Sequence, residues 1–328
     1  MQLPPALRRA VEQELAACDG AKLRAASARL TECYREGGAD GTPAQAALSN
    51  DAQRAAYLAV RLPATFAAAV AALTWTRESC AEEVGSVLDL GSGPGTALWA
   101  AMQVFPGLHS ATAVERDSKL IEIARRLSAH AIHSALAETT WVQGDLTANI
   151  PEGSWDLVVC SYALNELREA QRAALIRAAW ERTRKLLVVI EPGTKLGFAN
   201  ILDLRTRLLA AGATLAAPCP NTQECPMAQG GDWCHFPARI ERTAEHRRLK
   251  QATLGHEDEK FSYAAFSRSP IQSTAQSPNA RIVRHPKVFS GYTQLTLCRD
   301  GEIAETTITR SKKEDWRRLK RLGWGDGW

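Results

Sequence analysis

A doubly wound α/β sheet, with helices before it and a cysteine-rich, then basic, extension after it, is the fold class that the sequence predicts. Three observations predict it. From Ser86 to Ile190, short and nearly continuous apolar runs alternate with amphipathic stretches, as parallel strands covered by helices on both faces require. A glycine-rich turn, LGSGPGT, joins the first such run to the first amphipathic stretch. Residues 1–83 instead repeat their apolar residues every three or four positions, a helical period.

Taken in order, helices are expected over LRRAVEQEL, over AKLRAASARLTECYREGG ending at Gly37-Gly38, and over a longer pair around DAQRAAYLAVRLPATFAAAVAAL that starts at Ser49-Asn50-Asp51. This region reads as a helical cap supporting the next domain. Strands follow at SVLDL (86–90), SATAVE (110–115), TTWVQ (139–143), WDLVVC (155–160) and KLLVVI (185–190), with helices near 96–103, 117–130 and 168–183. After IEPGT come a helix over GFANILDLRTRLLAAG, a cysteine loop, a basic helix ERTAEHRRLK and a strand-like KFSYAAFSR. A Ser/Pro/Gln-rich loop then leads to a strand, a turn at Arg299-Asp300-Gly301, a strand and the basic helix KKEDWRRLKRL. The expected divisions are 1–83, 84–215, 216–268 (cysteine-rich), a linker at 269–280, and 281–328.

In the glycine loop, Gly91, Gly93 and Gly95 would let the backbone turn sharply and approach a ligand above a helix N-terminus, with Ser92 between the first two. The spacing G-x-G-x-G differs from the G-x-G-x-x-G of dinucleotide sites, which disfavours a nicotinamide cofactor. With Asp89 ahead of it, the loop resembles motif I of class I (Rossmann-like) S-adenosylmethionine-dependent methyltransferases. Glu115 ends the second strand, where a carboxylate could accept both ribose hydroxyls of a nucleoside. Asp145, just after the third strand, could accept from an adenine amino group. All three carboxylates stand at the carboxyl ends of adjacent strands, where open α/β sheets bind ligands.

The catalytic residues are not legible. The fourth strand runs into CSYALNEL, which places Tyr162, Asn165 and Glu166 at the ligand end of the sheet without ranking them. There is no Asn/Asp-Pro-Pro-aromatic box, and Cys160, ending a buried strand, reads as core.

Cys219, Cys225 and Cys234 are spaced C-x5-C-x8-C, and Cys298 ends the strand YTQLTLC. Four thiolates suit tetrahedral zinc or an iron–sulfur cluster. The absence of C-x2–4-C pairs and the two Cys-Pro steps lean toward a cluster, with zinc the alternative. His235 is expected beside the site rather than in it. Cysteines 18, 33, 80 and 160 read as core.

The chain has 328 residues, is 45% hydrophobic and carries a net charge of only +4, so charge alone does not announce a nucleic-acid partner. Residues 281–328, however, hold eleven Lys/Arg against six Asp/Glu, and Trp316, Trp324 and Trp328 are interleaved with them, a mixture suited to phosphate contact and base stacking. The first twenty residues contain no apolar signal segment, and Ala59 to Trp75 is too short and interrupted to span a bilayer, so a cytoplasmic location away from membranes is expected.

Together these stretches resemble a known family, the methyltransferase-like assembly factors of the small ribosomal subunit, found in mitochondria and bacteria. The resemblance is carried by RLPAT (61–65), LDLGSGPGT (88–96), IEPGT (190–194), CPNTQECPM with WCHF, EDEKFSYAAFSR (257–268) and the terminal LCRDGEI…KR-LGWGD. It implies a [4Fe–4S] cluster on Cys219, Cys225, Cys234 and Cys298, and action on the small subunit through rRNA rather than DNA. The intact glycine loop favours retained S-adenosylmethionine binding. Three functions stay open: an rRNA methyltransferase; an RNA-binding assembly factor that keeps the fold without turnover; and, against the basic tail and its tryptophans, a methyltransferase for a small molecule or a protein.

Overall fold

In the computed structural model the described residues are 1–35, 48–80, 82–129, 131–250, 253–271 and 279–328. The expected helix end at Gly37-Gly38, most of the 269–280 linker and the side chain of Cys33 lie outside them.

Four helices open the chain: α1 (Pro5–Ala16), α2 (Gly20–Arg35), α3 (Asp51–Val60) and α4 (Leu62–Ser79). Asn50 starts α3 as expected, through a reciprocal cap in which its side chain accepts from the Gln53 N–H. α4 is more than a cap. It is buried along most of its length and shares one core with the sheet through Phe66, Val70 and Leu73. Among the described residues no single helix is long and apolar enough to cross a membrane; α3 and α4 pass only as a pair bent by 47°.

The five expected strands form as β1 (Ser86–Leu90), β2 (Ser110–Glu115), β3 (Thr140–Gln143), β4 (Trp155–Ser161) and β5 (Thr183–Pro192). Between them run α5 (Thr96–Val104), α6 (Ser118–Ser128), the single turn α7 (Ser134–Ala137) and α8 (Glu169–Glu181). After β5 come α9 (Lys195–Ala210), β6 (Thr214–Ala217), β7 (Phe236–Glu241), α10 (Ala244–Lys250) and β8 (His256–Ser267). The sheet order is β3-β2-β1-β4-β5-β8-β6, parallel except for β8, which runs antiparallel to both of its neighbours. This is an α/β Rossmann-like arrangement with a mixed sheet.

The segment 216–268, expected as a cysteine-rich unit outside the core, supplies β8 to the middle of that sheet. β8 pairs with β5 along one side; along the other it pairs with β6 and then β7, placed end to end. Its SYAAFS run is buried on both faces, as a central strand demands. The cysteine loop is therefore the excursion from β6 to β7.

A second, antiparallel sheet is built from β9 (Arg281–Ile282), β10 (Lys287–Val288), β11 (Tyr292–Arg299) and β12 (Glu302–Thr309), followed by α11 (Lys313–Leu319). Residues 325–328 run back along β9, with Ala280 and Trp328 exchanging backbone hydrogen bonds. Two anchors fasten this sheet to the rest. Arg281 is buried and donates to the carbonyls of Pro218 and Gly325 at 2.8 and 2.9 Å. Asp326 accepts from the Trp75 indole of α4 at 3.2 Å. Gly325 has φ 105°, and a Cβ there would lie 2.3 Å from the Trp75 ring, so only glycine fits.

Candidate functional site

β1 is flanked on both sides, with Asp89 between Ala113 of β2 and Val159 of β4. The chain leaves β1 through Gly91, Gly93 and Gly95, at φ 75°, 53° and 81°, and enters α5 at Thr96. Gly91 is hemmed in: a Cβ there would meet Ala163 at 2.9 Å and Leu146 at 3.2 Å, so the turns after β4 and β3 press against the loop. Gly93 has nothing within 4 Å of that position and offers its backbone to open space.

Beneath the loop lies an unusual set of polar groups. Both Asp89 carboxylate oxygens, Ser92 Oγ and Thr96 Oγ1 are buried without a well-formed hydrogen bond among the described residues, the Leu98 N–H making only a loose approach to Asp89. Burial, and then repulsion from Glu115, pushes the Asp89 carboxyl up to about 8. Buried polar groups are ordinarily paired, so four such atoms around one glycine turn describe a polar cradle with its partners still to come.

Glu115 accepts the Gly93 N–H on Oε2 at 2.9 Å and the Asp117 N–H on Oε1 at 2.8 Å, which fixes the carboxylate beside the loop and leaves further lone pairs on both oxygens. Its carboxyl is raised, by burial foremost. Asp145 stands at the rim, with its side chain 42% exposed. Its Oδ1 accepts from the Thr147 N–H and hydroxyl at 2.8 and 2.7 Å, which hold its carboxyl below the usual range. Oδ2 faces Arg116 at 4.0 Å. The structure thus gathers Asp89, Ser92, Gly93 and Glu115, with Asp145 at the edge.

Sequence reasoning missed the support on the β4 side. Tyr162, at φ 60° in the left-handed region, follows β4 and donates its hydroxyl to Glu259 Oε1 at 3.1 Å. Glu259 on β8 is also gripped by Arg61 through two hydrogen bonds at 3.1 and 2.9 Å. Arg54 of α3 makes a similar grip on Asp117, two residues past Glu115. Asn165 Oδ1 accepts from Asn200, whose amide also donates to the buried Glu191. Burial drives the Glu191 carboxyl to about 8. Arg61 lies in RLPAT and Glu259 in EDEKFSY, but nothing in the sequence joined the two stretches. Cys160 lies in the core, as expected.

The four cysteines of the second candidate site meet in the fold. Cys219, Cys225, Cys234 and Cys298 line one cavity of about 40 Å³ with Phe198 and Met227. Arg205, buried beside it, donates to the carbonyl of Gln223 and so holds the loop in place. Trp233 donates to the Gly193 carbonyl at 2.8 Å, docking the loop on the end of β5. Burial and the neighbouring thiols push Cys234 well above its ordinary value and Cys298 to about 12. All described cysteines are free thiols. Among the described residues no three His, Cys, Asp or Glu side chains converge tightly enough to hold one metal ion, so the expected metal site is not shown. His235 turns instead to Trp233 and Trp324, at 5.2 and 4.9 Å between ring centroids.

The tryptophans of the basic segment are not the free stacking platform expected of them. Trp316 and Trp328 pack on the small sheet's core, and Trp324 on the main one. Arg310, Arg318 and Arg284 lie over their rings.

The chain is similar to known proteins at the level of its family. The family model described as mitochondrial small ribosomal subunit Rsm22 matches residues 51–328. The human mitochondrial ribosome assembly protein METTL17 is 25% identical over 290 residues, covering 82% of this chain and 61% of that protein. The mitochondrial Rsm22-cox11 tandem protein 2 of Schizosaccharomyces pombe is 26% identical over 334 residues, covering 84% of this chain and 43% of that protein. The chain thus spans less than two thirds of the length of either relative. Among solved structures, an O-methyltransferase family protein from Burkholderia thailandensis aligns with TM-score 0.44 and 16% identity over 70% of this chain and 63% of that one. Magnesium protoporphyrin IX methyltransferase from Synechocystis, with bound S-adenosylhomocysteine, aligns with TM-score 0.42 and 14% identity over 73% and 94%. The relatives' mitochondrial names contradict the expected cytoplasmic location; a missing apolar signal segment bears on secretion alone. Matched over residues 51–328, the chain belongs to the family of the mitochondrial small ribosomal subunit protein Rsm22.

Proposed function

We propose that the chain binds S-adenosylmethionine in the glycine-loop cradle and acts on the small ribosomal subunit during its assembly, methylating rRNA. The observation that carries the reading is the set of unpartnered buried atoms on Asp89, Ser92 and Thr96, facing a loop whose Gly93 is open. A ligand bearing both a cationic amine and hydroxyls would satisfy them, and Glu115 has lone pairs left for a ribose. Asp145 Oδ2 is the acceptor for an adenine amine. When bound, the sulfonium supplies an electrophilic methyl; the chain's own part is to orient donor and acceptor and exclude water. Membership of the Rsm22 family and the ribosome-assembly name of the human relative support the partner, and the basic 281–328 segment supports contact through rRNA phosphates.

The same reading gives Cys219, Cys225, Cys234 and Cys298 a [4Fe–4S] cluster. Its support is the shared cavity, with Arg205 and Arg281 close enough to Cys219 to offset negative charge. Zinc on the same four thiolates is the alternative, and metal and sulfide analysis separates the two. The cluster would tie β11 to the β6–β7 loop.

A second reading, a binding factor without turnover, is favoured by one observation. Tyr162 and Asn165, two of the polar residues that follow β4, direct their groups to Glu259 and Asn200 inside the protein. Two measurements decide. Calorimetric titration with S-adenosylmethionine should give heat, and its absence removes the cofactor. Labelled methyl should enter small subunits taken from a deletion strain; binding without incorporation leaves the assembly factor.

A further inference from the structure

The β10–β11 hairpin presents something the sequence did not advertise. Phe289 and Tyr292 stack on each other, with centroids 4.6 Å apart and planes 17° from parallel, yet they are 42% and 36% exposed. Val288 beside them is 75% exposed. None of the three belongs to the small sheet's core, which is filled from Ile282, Leu295, Leu297 and Ile308. The pair is held rigidly: Phe289 donates its N–H to the Tyr292 carbonyl at 2.9 Å, and Arg310 donates its N–H to Gly291 at 3.2 Å. That second bond brings the start of the basic helix to the hairpin. Arg310, Lys312 and Lys313 are exposed there without a carboxylate within ion-pair distance among the described residues, and Arg310 lies over the Trp316 ring.

We infer that this hairpin is a stacking platform for unpaired RNA bases, with Phe289 and Tyr292 supplying the π-surface and Arg310, Lys312 and Lys313 holding the adjoining phosphates. The inference rests on the RNA reading above and names the element that would read single strands. The charge selects the occupant: an apolar protein partner would gain nothing from these cations at the rim, whereas a nucleic-acid strand presents both a base face and a phosphate. A duplex keeps its bases stacked within itself, so the platform discriminates single strands from double ones.

The test uses the full chain and two labelled probes, an oligoadenylate and the same strand annealed to its oligouridylate complement, read by fluorescence anisotropy over a salt series. The wild type should prefer the single strand. The Phe289→Ala/Tyr292→Ala variant should lose about tenfold or more of single-strand affinity, with the duplex affinity and the salt slope unchanged. Phe289→Tyr/Tyr292→Phe, which keeps both rings, should restore the preference. Lys312→Gln/Lys313→Gln should flatten the salt slope by about two contacts on both probes. If the wild type binds RNA and the double alanine variant binds the single strand equally well, the platform is overturned and the hairpin belongs to a protein partner. If the wild type binds neither these probes nor small-subunit rRNA fragments at low salt, the RNA reading falls, and the platform with it.

Discussion

Arg61 and Glu259, 198 positions apart, form a two-pronged ion pair whose side chains are only 12% and 10% exposed. It joins the start of α4 to β8, and through Glu259 it holds Tyr162 in a backbone conformation that L-residues seldom adopt.

Removing one member leaves the other charge desolvated. Glu259→Ala should lower the unfolding free energy by about 3–5 kcal/mol in urea titrations. Arg61→Met/Glu259→Leu should recover most of that loss, because no lone charge remains. Equal stabilities for Glu259→Ala and the wild type would show that the pair is solvated in solution.

Glu115→Ala should weaken S-adenosylmethionine binding by more than tenfold in calorimetry. The change removes the proposed ribose acceptor and also the anchor of the Gly93 and Asp117 N–H groups. Glu115→Gln, whose single amide oxygen can accept from only one of those two N–H groups, should fall between the two.

Asp89 and Glu191 make stability depend on pH. In the folded state both carboxyls are raised to about 8, so from the ordinary carboxylate range up to about 8 the folded chain holds protons that the unfolded chain has released. Stability should therefore fall with rising pH across that window and level off above it. Melting temperatures of Glu191→Gln, followed by circular dichroism, should show a shallower fall. An amine bound at Asp89 should favour its ionised form, so binding at neutral pH should release a proton. Calorimetry in buffers of different ionisation enthalpy would detect it, and Asp89→Asn should abolish the buffer dependence.

Anaerobically purified protein should contain iron and sulfide, and Cys298→Ser should lose most of both. Zinc without iron would overturn the cluster reading.

Much of this was legible because local and global signals agreed. β1 and the middles of β4 and β5 are buried on both faces, and the glycine loop needs positive φ at three places, so pattern and position coincide. β6 and β7 were invisible for a physical reason. One is four residues with two alanines, the other contains Pro237, and both exist by pairing with β8 alone. Arg61–Glu259 could not be read from residues so far apart in sequence. In the basic segment, the tryptophans drew the eye, but their bulk made them packing residues, while the smaller Phe289 and Tyr292 stayed at the surface.

The bond from Trp75 to Asp326 spans 251 positions, and it sets an order of events during synthesis. Phe236, Phe261 and Tyr263 can gather round Trp75 once β8 has emerged. The indole N–H, however, waits for Asp326, and β9 waits for residues 325–328 to lie beside it. Without residues 325–328, the Trp75 indole would be a donor in a half-buried aromatic nest with no acceptor, and the small sheet would be open along one side. A short stretch of backbone thus latches the small sheet to the helix that packs on the large one.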